Sequence, residues 1–105
     1  MEKRNTSHSL YGGSMYTILV YDISQEDKGQ QRWNRVFKLC KQYLAHIQNS
    51  VFEGEISKAN LFKLEKFIEN EINKDMDSVI IFKSRNERWL DKKILGKDID
   101  EKLFI

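Results

Sequence analysis

With one cysteine, Cys40, among its 105 residues, the chain cannot form an internal disulfide. No apolar run approaches the roughly 20 residues that a membrane span requires. Residues 1–14 lack the apolar centre of a secretion signal; they are polar, close on Gly12-Gly13-Ser14 and precede a second methionine, Met15. They read as an extension of the kind a cloning vector adds, ahead of a single domain over 15–105, since this length suits one core and is short for two. These absences point to a cytoplasmic protein without a membrane partner. A dominant charge is also missing: 18 Lys and Arg face 16 Asp and Glu, a formal net charge of +2, so the total charge does not argue for nucleic acid. There is no internal repeat, histidine-rich cluster, glycine-rich phosphate loop or nucleophile–base pairing. What remains informative is where the apolar and charged residues sit.

From Tyr16 the chain reads Tyr-Thr-Ile-Leu-Val-Tyr-Asp, a β-branched and aromatic run that predicts a strand. Ser24, followed by Asp27, resembles a capping box and predicts a helix starting there. Trp33, Val36, Phe37, Cys40 and Leu44 share one helical face, carrying the helix to about Tyr43. Trp33 and Phe37 are expected in the core, with Cys40 as a small buried hydrophobe. Ala45–Gln48 and Val51–Ile56 flank Asn49-Ser50 and predict a hairpin, with His46 on its polar side. Ser57 is placed to cap a second helix that buries Leu61, Leu64, Ile68 and Ile72. Ser78–Lys83 is a further strand. Ile94-Leu95 and Leu103-Phe104-Ile105 suggest short strands in a tail over 94–105 that pairs at the sheet edge, with pairing to a partner chain favoured.

The fold class is therefore α+β, a ferredoxin-like β-α-β-β-α-β sandwich with an additional C-terminal strand. Alternation along its strands implies an assembly. Tyr16, Ile18 and Val20 oppose Leu19 and Tyr21, and Val79 and Ile81 oppose Ile80 and Phe82, so both faces of the sheet are apolar. Two helices cover one face. The other would expose an apolar patch of several hundred Å², beyond what monomers usually show, and a second copy with its sheet facing the first is the simplest cover. The alternative is that residues 1–14 or the tail fold over the open face.

Asp22 closes a mostly apolar strand, where a carboxylate must be solvated, paired or metal-bound. It caps the loop before the first helix, through Ser24 or nearby N–H groups, or it serves a site. A twofold axis near the strand end would bring Asp22 beside its symmetry mate, and two carboxylates suit Mg²⁺ or Mn²⁺. Such a site would support metal-dependent phosphodiester cleavage with Asp22 as the catalytic residue. Basic residues cluster in two segments. Lys28 to Gln48 holds five bases and no acid, with Lys28, Arg32 and Arg35 along one strip; Lys83 to Lys93 holds five bases against two acids, including Lys83, Arg85 and Arg88. These six are the candidate phosphate contacts, which would confer little sequence preference. Glu53 to Asp77 reverses the balance, with seven acids against four bases.

Tyr16 to Ser24 resembles the opening strand of the CRISPR-associated Cas-two family, where an acid follows an aromatic residue. Gln48-Asn49-Ser50-Val51-Phe52-Glu53-Gly54 is similar to that family's Gln-x-Ser-Val-Phe-Glu segment. Phe82-Lys83-Ser84 departs from its aromatic–Arg–Leu run, and Tyr43-Leu44 from the glycine after its first helix. The resemblance implies a homodimer with facing sheets and a cation held by Asp22 of each chain. It further implies assembly with the Cas-one integrase on double-stranded DNA during spacer acquisition, and endonuclease activity on DNA or RNA. Two alternatives remain at this point: a toxin-like metal-dependent ribonuclease of the VapD type, and a small-molecule-binding regulatory domain of the ACT type.

Overall fold

Leu19 is fully buried at the centre of a four-stranded antiparallel sheet, opposite Phe52 on one neighbour and Ile81 on the other. The structure is a computed structural model that describes residues 13–85 and 90–96. Its elements run β1 (Ser14–Asp22), α1 (Gly29–Lys41), β2 (Ala45–Gln48), β3 (Val51–Ser57), α2 (Lys58–Glu71) and β4 (Ser78–Ser84). The strand order β2-β3-β1-β4, with both helices against one face, is the ferredoxin-like arrangement.

The covered face carries Thr17, Leu19 and Tyr21 of β1, Phe52 and Ile56 of β3, and Val79 and Ile81 of β4. Val36 and Cys40 of α1, with Leu61, Leu64 and Ile68 of α2, pack against them. Trp33 and Phe37, expected in the core, are partly buried and pack against it, their rings stacked at 5.2 Å. Ser57 caps α2 by accepting from the Asn60 N–H at 3.1 Å, as its position predicts. Asn49 takes a left-handed φ of 44° in the hairpin turn, a conformation asparagine tolerates.

Three expectations give way to tertiary contacts. The first helix starts at Gly29, beyond the expected capping box: the Ser24 hydroxyl accepts from Glu26 N–H at 3.1 Å and forms a local turn instead. Asp27 and Lys28 are left-handed, with φ of 54° and 62°, so the chain folds back before entering α1. Gly29 is required there, because a Cβ would meet the Ser24 carbonyl oxygen at 1.8 Å. His46 leaves the polar side of the hairpin; its ring packs on Phe37 at 4.8 Å and Phe52 at 5.0 Å, and its Nε2 pairs with the Asn49 carbonyl at 2.8 Å. Ile94 and Leu95 have irregular backbone in place of the expected strand, while Leu103-Phe104-Ile105 lie outside the described residues. No helix among the described residues is long and apolar enough to cross a membrane.

Candidate functional site

The open face of the sheet presents Tyr16, Ile18, Val20 and Asp22 from β1, paired in register with Glu55, Glu53 and Val51 on β3 and with Ser84, Phe82, Ile80 and Ser78 on β4. The apolar character expected on both faces is therefore present. Ile80 is 53% exposed and Phe82 56%, on the edge strand, where unpartnered apolar residues are a liability. Asp22 lies on this same face at its end, exposed, opposite Ser78.

Within the open face, Glu53 is only 4% exposed. Its carboxylate accepts from the Tyr16 hydroxyl and from Lys92 Nζ at 2.9 and 3.2 Å. Counting acids along the chain placed Glu53 on an acidic surface; its pairing with a residue 39 positions away has no local signature.

The task of holding the β1–α1 loop, one of the two roles open to Asp22, falls to Asp77. Asp77 Oδ1 accepts from Ser24 N–H at 2.9 Å, and Oδ2 from Asn73 N–H at 2.8 Å and Arg32 Nε at 2.8 Å. Burial works against the charged carboxylate. The hydrogen bonds from Arg32, Asn73 and Ser24, together with the Arg32 charge, outweigh that cost and hold its pKa below the ordinary carboxylate value. Arg32 is itself 7% exposed, so the structure removes it from the solvent strip expected to run through Lys28, Arg32 and Arg35. The signal that identifies it is spacing: Gly29, Arg32, Val36 and Cys40 form one buried stripe along α1.

The other basic candidates lie at the surface, and two of them meet α2. Arg35 is 3.7 Å from Glu71 and Lys83 3.3 Å from Glu65, exposed pairs of small net energy that phosphates could displace. Lys28 and Arg85 are exposed, and Arg88 lies outside the described residues. Lys83 and Arg85 lie toward the end of β4 away from Ser78, the residue paired with Asp22, while Lys28 stands at the start of α1 and Arg35 within it.

Among the described residues no three His, Cys, Asp or Glu side chains cluster as a metal site. Asp22 brings a carboxylate to this end of the sheet, with no side-chain hydrogen bond or ion pair among the described residues to compete for it. That donor fits Mg²⁺, which keeps several waters and uses one or two carboxylates, provided that a second copy supplies the other one.

The described residues thus define a small ferredoxin-like α+β domain with an apolar open face and an acid at the end of its first strand. Residues 15–92 match the model of the family described as CRISPR associated protein Cas2. The chain belongs to the Cas2 family. It is 50% identical over 100 residues to the CRISPR-associated endoribonuclease Cas2 of Fusobacterium nucleatum, covering 94% of each chain. A solved Cas2 crystal structure is 43% identical, with a TM-score of 0.70 over 82% of this chain and 91% of that one. The Streptococcus pyogenes Cas2 crystal structure, at 26% identity, covers 83% of this chain and 93% of its own with a TM-score of 0.60. These likenesses favour neither the VapD-type toxin nor the regulatory domain.

Proposed function

We propose that the chain is a dimeric, cytoplasmic, nucleic-acid-binding subunit of CRISPR spacer acquisition that scaffolds the Cas-one integrase on double-stranded DNA, with metal-dependent phosphodiester cleavage as an activity of the Asp22 site. The observation that carries this reading is that Asp22 shares a face with Ile80 and Phe82, both more than half exposed. A second copy covering those residues brings the two Asp22 carboxylates toward the same seam.

Asp22 of each copy would hold Mg²⁺ or Mn²⁺, and the bound ion would supply an activated water and polarise a phosphodiester oxygen. The chain's own contributions are more limited. Asp22 provides a carboxylate at the end of β1 that no hydrogen bond or ion pair among the described residues takes up. Lys28, Arg35, Lys83 and Arg85 attract the sugar–phosphate backbone without reading bases. The name of the Fusobacterium relative specifies an endoribonuclease, which favours RNA as the substrate of the cleavage activity.

Asp22→Ala separates scaffold from nuclease. Metal-dependent cleavage of single-stranded RNA by the purified protein is expected to vanish with the dimer intact, while spacer capture with the integrase continues. Loss of both would make the site essential to the scaffold. Binding to duplex DNA is expected to weaken steeply between about 50 and 200 mM salt, as phosphate contacts require, and absence of binding at any salt would remove the nucleic-acid reading.

A further inference from the structure

The side chain of Asp22 makes no hydrogen bond or ion pair among the described residues, so its direction is set by the backbone on either side of it. On one side Asp22 pairs with Ser78, the first residue of β4. On the other, Ile23 is buried and Ser24 N–H donates to Asp77 Oδ1 at 2.9 Å. Asp77 immediately precedes Ser78, so a single two-residue step grips both the partner strand and the loop that follows Asp22.

Arg32 extends that grip over the whole loop. Its Nη2 lies 3.3 Å from the Ser24 carbonyl, 3.2 Å from the Glu26 carbonyl and 3.3 Å from Asp77 Oδ1, while Nη1 donates to the Asp27 carbonyl. Nε completes the fork on Asp77 Oδ2 at 2.8 Å. A buried ion pair is seldom better for stability than well-packed apolar side chains, so stability alone gives little reason for one here. What this fan of directional bonds does supply is a unique path for the chain through the left-handed Asp27 and Lys28 and back into α1.

We infer that Arg32 and Asp77 are positioning residues for the Asp22 carboxylate, fixing the strand end at which the metal site is assembled. The inference rests on the reading of Asp22 as a cation ligand and deepens it. In a site shared by two identical copies, a displacement of Asp22 occurs in both at once, so an error in the loop is doubled across the axis. A ligand set must be held to about 0.5 Å by its supporting residues to work.

The test compares wild type, Asp22→Ala and Arg32→Lys of the full chain by Mn²⁺ binding, followed by electron paramagnetic resonance, alongside thermal unfolding and sedimentation. Lysine keeps a charge opposite Asp77 but lacks the planar fork that reaches Ser24, Glu26 and Asp27. Asp22→Ala is expected to abolish Mn²⁺ binding. Arg32→Lys is expected to fold and dimerise while its Mn²⁺ dissociation constant rises at least tenfold, the usual scale for loss of a group supporting a metal ligand. If wild type fails to bind Mn²⁺, or Asp22→Ala binds as well as wild type, the reading of Asp22 falls and this inference falls with it. If binding depends on Asp22 yet Arg32→Lys binds normally with only a lower unfolding temperature, the pair is a structural staple and the inference alone is overturned. Should Arg32→Lys fail to fold, Asp77→Asn, which keeps an acceptor for Ser24 N–H, is judged by the same criteria.

Discussion

Lys92 Nζ reaches both carboxylate oxygens of Glu53, at 2.9 and 3.2 Å, from a segment beyond the end of β4. Chain that follows the sheet is thereby tied to the middle of the open face, beside Ile18 and Phe82. Glu53→Ala removes the carboxylate that accepts from both the Lys92 ammonium and the Tyr16 hydroxyl. Because Lys92 keeps about a third of its side chain in water, the cost is expected near the lower end for a broken buried pair, about 3 kcal/mol. Urea unfolding checks it. Lys92→Met is expected to cost at least as much, since it takes the ammonium from a Glu53 carboxylate that is only 4% exposed and leaves it the Tyr16 hydroxyl.

Acid should weaken the fold through Asp77. Its carboxyl is held below the ordinary value of 3.8 in the folded chain, so the unfolded chain binds the proton more readily. The stabilisation is complete above pH 3.8 and is lost as pH falls through the lower folded value. In Asp77→Asn this part of the pH dependence disappears and the protein is less stable at neutral pH. Urea midpoints at pH 6, 4 and 3 give both comparisons, and parallel pH curves for the two proteins would rule out Asp77 as the source.

Alkali acts through the other side of the core. Burial pushes the Cys40 thiol up from 9.0 to about 12, and burial, reinforced by Cys40, raises the Tyr21 phenol as well. Both groups are neutral when folded and ionise more easily when unfolded, so stability is expected to fall with rising pH from about 9 toward 12. Native Cys40 should also resist alkylation at pH 8, its rate tracking global unfolding across a urea series. Rapid labelling without urea would show that α1 opens locally.

Much of this architecture follows from local pattern. The Leu19 and Ile81 side of the sheet, the Asn49 turn and the Ser57 cap depend on alternation, tolerance of positive φ and a hydroxyl at a helix start, all written within a few residues. The support around Asp22 is different in kind. Arg32 and Asp77 are 45 positions apart, and a count of bases along α1 places Arg32 among solvated charges. Only its spacing with Val36 and Cys40 sets it on the buried stripe. His46 moved inward for a similar reason, because the rings of Phe37 and Phe52 offered it a face that hairpin alternation alone does not reveal. Asp22 itself was legible as a carboxylate closing an apolar strand, whereas its freedom from the loop depended on Asp77 taking that role.

The open face gives the most direct test of the assembly. Phe82 is 56% exposed in the single chain, so Phe82→Arg removes little buried area there and should change its stability by no more than about 0.5 kcal/mol. In a dimer whose sheets face one another, the same change sets a guanidinium against an apolar seam. A loss of about 3 kcal/mol, typical of an anchor at an interface centre, raises the dissociation constant roughly a hundredfold. Sedimentation equilibrium across the micromolar range should therefore show a dimeric wild type and a dissociating variant with matching unfolding curves for the monomer. Ile80→Lys, 53% exposed on the same edge strand, should repeat the result. If both variants remain as dimeric as wild type, the copies meet elsewhere, and the two Asp22 carboxylates lose the seam that was to bring them together.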